Sequence, residues 1–195
     1  MRILSTAIAA AFAATLTFTL AAQVPLQVAP SGRGTTQVTL TPVDSAARAN
    51  SEPSVIRIDY GQPHLRGRML HTDSLVPYDQ PWRTGANAAT TLTTDVDLVI
   101  GGTTLPKGTY ILETFPGTSG WKLLIQRNVE PPPGPPPPYD PKNDLARIDL
   151  RQSNLSQPLE SLTFWLIPAR GQGKPRGELR LAWGNVSLST DWSVK

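Results

Sequence analysis

The chain contains no cysteine. That excludes a disulfide framework, thiolate zinc sites, iron–sulfur clusters and a lipidated N-terminal cysteine. Histidine is scarce, two in 195 residues, which leaves no material for a multi-histidine metal centre. Charge is scarce too: 17% of residues are Asp, Glu, Lys or Arg, and the formal net charge is +3. So small and scattered an excess does not form a nucleic-acid-binding stripe. Phosphate-cradling glycine loops, a dinucleotide fingerprint and a Gly-x-Ser-x-Gly elbow are also missing. The expectation is therefore no catalytic set, no metal, no cofactor and no nucleic-acid partner.

Long apolar runs are missing everywhere except at the N-terminus. Met1-Arg2 gives a short positive start, residues 3–20 (ILSTAIAAAFAATLTFTL) are uncharged, and Ala21 and Ala22 precede the break at Gln23-Val24-Pro25. This is the layout of a secretory signal peptide over residues 1–22, cleaved near Ala21 or Ala22. An uncleaved anchor is the alternative. A run of about 18 residues only just reaches across a bilayer, and its threonines and alanines weaken that case. The mature chain is expected to have no membrane span and to form one domain, since about 150 residues can bury roughly 70% of their unfolded surface.

What is abundant is punctuation, 20 prolines and 15 glycines. Residues 23–54 read as a flexible leader with a Ser-Gly-Arg-Gly turn and one stretch, residues 36–41 (TQVTLT), able to form an edge strand. From residue 55 the period is two: Ile56, Ile58 and Tyr60 share a face, and Arg57 and Asp59 the other. Gly101-Gly102 after the run at 97–100 predicts a tight hairpin. Pro106-Lys107-Gly108 predicts a further turn. Strands are expected over 109–115, 121–127, 146–150, 162–167, 178–183 and 186–190. No helical stripe competes with them. The fold class is all-β, a single antiparallel β-sandwich of roughly eight to ten strands spanning residues 55–195. Residues 130–141 (EPPPGPPPPYDP) hold eight prolines and read as a stiff proline-rich loop, with partner docking as the other use.

The segments YGQP (60–63), RGR (66–68), LVPY (75–78), WRTGANAAT (82–90) and GTTLPKGTY (102–110), with Trp121 and Tyr139-Asp140, form a series. It resembles an exported bacterial family catalogued as domain of unknown function twenty-nine eleven, over about residues 55–188. The resemblance implies a secreted or periplasmic β-rich domain with no established activity. The proline run departs from that family's pattern.

Residues 62–90 concentrate ligand-type side chains. Arg66, Arg68, Tyr78, Trp82, Arg83 and Asn87 form the candidate recognition cluster, with arginine forks for a carboxylate, phosphate or hydroxyl, and aromatic faces for stacking. The same residues could instead satisfy buried backbone groups beneath a long loop. His64, His71 and Asp73 match no zinc spacing. Trp121 and Trp183 alternate in phase with aliphatic neighbours and read as core. Asp95 and Asp97 read as outward strand positions.

Three functions remain open. The first is a non-enzymatic exported module that binds a small polar ligand or envelope component. The second is an envelope hydrolase, glycan-directed, with His64 or His71 as base; it requires a histidine within hydrogen-bond reach of a serine, threonine or carboxylate. The third is a structural or assembly role. The sequence sets no oligomeric state.

Overall fold

The computed structural model describes residues 23–128 and 138–195. Residues 1–22, where a signal peptide is expected, and most of the proline-rich run lie outside the described residues. Ten strands follow in order: β1 (Ser31–Leu40), β2 (Ser54–Pro63), β3 (Thr90–Thr94), β4 (Leu98–Ile100), β5 (Thr103–Leu105), β6 (Gly108–Gly117), β7 (Gly120–Arg127), β8 (Asp144–Asp149), β9 (Arg151–Pro168) and β10 (Arg176–Val194). One short helix, α1 (Ser45–Ala49), and a single 3-10 turn at Pro141–Asn143 are the helical elements among the described residues. Asp44 caps α1 by accepting from the Ala47 amide at 2.8 Å.

Two antiparallel sheets form a sandwich, with strand orders β1-β2-β3-β6-β7-β8 and β5-β4-β10-β9. Period-two alternation turns Ile56, Ile58, Leu92, Leu112, Leu123 and Ile125 inward from the first sheet. Leu98, Ile100, Leu162, Phe164, Leu179 and Leu181 meet them from the second. Burying each such side chain contributes about 1.5–3 kcal/mol. Tyr60 and Phe164 pack with ring centroids 4.9 Å apart, joining the two layers.

Several local expectations hold. Gly101 and Gly102 both have positive φ, 51° and 86°, as a two-residue hairpin requires. Trp121 and Trp183 are each 3% exposed. Elsewhere the chain departs from the expectation. Residues 31–34 are strand rather than turn, because β1 pairs with β2 from Ser31↔Pro63 to Leu40↔Ser54. Gly34 permits this, since a Cβ there would come within 2.5 Å of the Tyr60 ring. The runs at 178–183 and 186–190 are one strand, carried past Gly184 (φ 57°) by two register shifts against β9.

The outer edge of β9 is not bare. The Phe164 amide donates to the Tyr60 hydroxyl at 3.4 Å, the Leu166 amide to Thr36 Oγ1 at 3.3 Å, and Gln62 Nε2 donates to the Leu162 carbonyl at 3.0 Å. Side chains of the first sheet thus close the second sheet's edge, which blunts strand addition there. Among the described residues, no helix is long and apolar enough to cross a membrane.

Candidate functional site

The candidate residues lie on the long connection from β2 to β3, residues 64–89. Backbone bonds hold it at both ends. The Leu65 amide donates to the Glu160 carbonyl at 2.8 Å, and Trp82 pairs with Thr114 on β6 through bonds of 2.7 and 2.9 Å. Between Trp82 and Thr90 the chain is locked by buried hydroxyls. Thr84, fully buried at φ 53°, donates to Thr114 Oγ1 at 2.9 Å, while Thr90 Oγ1 donates to the Thr84 carbonyl at 2.9 Å. A β-branched residue at positive φ is strained, and these bonds hold it there.

Because Trp82 lies in a strand-like bridge, it and Arg83 face opposite ways. Trp82 points inward, stacked on Trp183 at 5.8 Å and edge-on to Trp121 at 6.3 Å. His71 extends this aromatic row: it stacks on Tyr78 at 4.2 Å and meets the Trp121 edge at 5.6 Å. Its Nδ1 donates to the Val76 carbonyl at 3.3 Å. Beside the row lies a groove of about 600 Å³, floored by Leu65, Met69, Leu70 and Val186. Met69 is 76% exposed. Arg68 and Glu160 stand at its rim. The Arg68 guanidinium is oriented by donation to the carbonyls of Leu65 (2.9 Å) and His64 (2.7 Å). The Glu160 carboxylate accepts from the Arg66 amide at 2.7 Å.

Arg83 faces the outer side of the first sheet. Its guanidinium is exposed and donates from Nη1 to the Asn87 carbonyl at 3.1 Å. Strand register places Glu113, Leu124 and Arg147 in one outward row and Gln126 and Asp144 in the next. Asp144 accepts from Gln126 Nε2 (2.9 Å), the Tyr139 hydroxyl (2.7 Å) and Arg147 Nε (2.7 Å). Burial, then the hydrogen bond to Asp144, pushes Tyr139 up to about 12. Glu113 Oε2 is buried without a partner among the described residues. Burial first, and the Asp144 charge second, raise its carboxyl above the ordinary glutamate range, with Arg83 opposing.

A carboxyl whose pKa is higher folded than unfolded contributes most below the unfolded value, and that contribution is lost as pH rises through the folded one. Glu113→Gln should therefore gain stability over wild type as pH rises above the ordinary glutamate range, read from urea unfolding at each pH. An unchanged difference would mean that Glu113 is solvated. Arg83→Ala, removing an exposed group with one such bond, should change stability by only about 0.5 kcal/mol in a thermal melt.

The six candidate residues thus occupy three places. Arg68 lines the groove, with Arg66 next to it through its amide bond to Glu160; Tyr78 and Trp82 build the aromatic row beside it, and Arg83 and Asn87 lie on the outer sheet face. Sequence reasoning missed Glu160 and Met69 at the groove, and the Tyr139–Asp144–Arg147 network. The Tyr139-Asp140 pair and the alternation of Asp144 with Ala146 were the available signals. His64 Nδ1 lies 2.7 Å from Ser161 Oγ across an antiparallel bridge. Asp95 and Asp97 are exposed and cap turns, accepting from the amides of Val55 (2.8 Å) and Lys107 (2.9 Å). Among the described residues, no group of His, Asp and Glu converges to hold a metal ion.

Set against known proteins, the chain matches one family model, described as Protein of unknown function (DUF2911), over residues 42–191. No curated protein and no solved structure matches.

Proposed function

The chain belongs to the DUF2911 family of proteins of unknown function, and on that premise we propose that it is an exported, non-enzymatic binding module whose ligand occupies the groove beside Arg68. The observation that carries this reading is the groove's composition. An apolar floor that includes the exposed Met69 lies between an oriented guanidinium and an oriented carboxylate. Apolar pockets with few, convergent polar groups are the usual form of small-ligand sites. The ligand is an amphipathic envelope component, its apolar body on Leu70 and Val186 and its head between Arg68 and Glu160. Export follows from the signal-peptide pattern and suits a cysteine-free chain that relies on its core alone. The intact mass of the protein recovered from its native host should lack residues 1–22.

Leu70 and Val186 also pack against Trp82 and Trp183, so filling the groove should alter tryptophan emission. Short-chain phosphatidylglycerol, kept below its micelle concentration, is the probe. Wild type should give a saturable change, and Arg68→Ala and Met69→Ser should each weaken binding about tenfold. No change, or equal binding by all three proteins, defeats the reading.

The hydrolase reading has one observation in its favour, the His64–Ser161 hydrogen bond. In acyl-transfer chemistry the histidine would take the serine proton, and a third group would orient the ring. No carboxylate bonds to His64 among the described residues, and cross-strand pairing alone accounts for the contact. Turnover of p-nitrophenyl acetate abolished by both Ser161→Ala and His64→Ala would favour it over binding.

A further inference from the structure

A second concavity lies elsewhere, a cleft of about 1020 Å³ between β8, the turn at Gly101-Gly102 and both ends of β10. Charged side chains rim it, in a protein otherwise poor in charge. Arg151 donates to both oxygens of Asp191, at 2.9 and 2.8 Å, and lies 3.5 Å from Glu178. Arg180 pairs with Glu178 at 2.6 Å, Lys122 pairs with Asp149, and Arg147 with Asp144. Each lining carboxylate therefore already has a cation. Arg176 has none for a partner among the described residues: its Nη1 donates to the Gln172 carbonyl at 3.2 Å.

The floor is an aromatic side chain. Trp192 lines the cleft, is 2% exposed, and its Nε1–H has no acceptor among the described residues. The indole lies against the Gly177 backbone, where a Cβ would approach within 2.9 Å of Cε2.

We propose that this cleft binds a short carboxylate-bearing saccharide. The carboxylate meets Arg176, and hydroxyls bridge the rail Asp191–Arg151–Glu178–Arg180 above the Trp192 indole. That rail suits a polyol because ion-paired guanidiniums keep spare N–H donors while carboxylates keep spare lone pairs, alternating along the wall. A simple anion would use Arg176 alone, and an apolar ligand would use neither. The site does not depend on the groove at Arg68.

The test is calorimetric titration of the mature protein with tetragalacturonate, beside neutral maltotetraose and inorganic phosphate. Tetragalacturonate should bind saturably at one site. Arg176→Gln should weaken it about tenfold, the effect of one charge-assisted hydrogen bond. Trp192→Phe, which keeps an aromatic floor but deletes the N–H, serves to assign the indole resonance. The Trp192 indole N–H resonance, assigned by its loss in that variant, should shift on titration. If Trp192→Phe misfolds, Arg176→Gln decides alone. Absence of tetragalacturonate binding overturns the proposal, as does binding insensitive to Arg176→Gln. Phosphate binding as tight as tetragalacturonate reduces the site to an anion contact and overturns the saccharide.

Discussion

Gly61→Ala should destabilise the protein strongly. In β2, a Cβ at residue 61 would lie 1.7 Å from the Ala86 carbonyl oxygen, 2.6 Å from its carbon and 2.9 Å from its nitrogen. All three obstacles are backbone atoms, so no flexible side chain can swing aside. The contact is also where the 64–89 connection returns to the sheet, with the Ala86 amide donating to the Gly61 carbonyl at 3.2 Å. Overpacking typically costs about 1–3 kcal/mol, and backbone on both sides places this case at or above the upper end. The expected result is a melting temperature lower by roughly 10 °C, or insoluble protein. Gly32→Ala is the control: it lies in β1 with nothing within 4 Å, and should be neutral or stabilise by a few tenths of a kcal/mol. A Gly61→Ala protein that melts like wild type would show that the connection does not dock there.

Trp121→Ala should cost about 3–5 kcal/mol, the usual result of truncating a buried aromatic. Trp121 is 3% exposed and stands where β7 meets the connection, against His71 and Trp82. The cavity would open beneath His71 and Trp82. Limited proteolysis within residues 64–89 should accelerate along with the fall in melting temperature. Trp165 provides the contrast, since it faces outward on β9 between the buried Phe164 and Leu166 and is half-buried. Its alanine variant should lose about 1 kcal/mol and leave the connection's protease resistance unchanged. Equal losses at both tryptophans would contradict the aromatic row.

Much of the fold was legible along the chain. Ile56, Ile58 and Tyr60 announce β2 through alternation, and Gly101-Gly102 announces its hairpin because few other residues accept positive φ twice. Alternation also places Trp121 and Trp183 in the core. It misleads at residues 31–34, where two glycines look like a turn until Tyr60 is laid across Gly34. It misleads again at Gly184, where a glycine between two strands reads as a break but carries a bulge. At the candidate site, one extended bridge sends Trp82 and Arg83 to opposite faces. That bridge exists because Thr114, 32 positions after Trp82, offers its backbone.

By itself the sequence determined the class of the molecule: a cysteine-free, low-charge, all-β chain whose alternating positions must find a common core. That followed from local physics, since side-chain period and turn chemistry act between near neighbours. The tertiary structure alone decided where ligand-type side chains converge. Arg68 and Glu160 come to one groove, Asp144 comes near enough to raise Glu113, and Arg176 and Trp192 come to one cleft because β6, β8, β9 and β10 cross or pair at registers set by the whole sandwich. Each of those groupings joins residues well separated in the chain, where no sequence spacing carries the information.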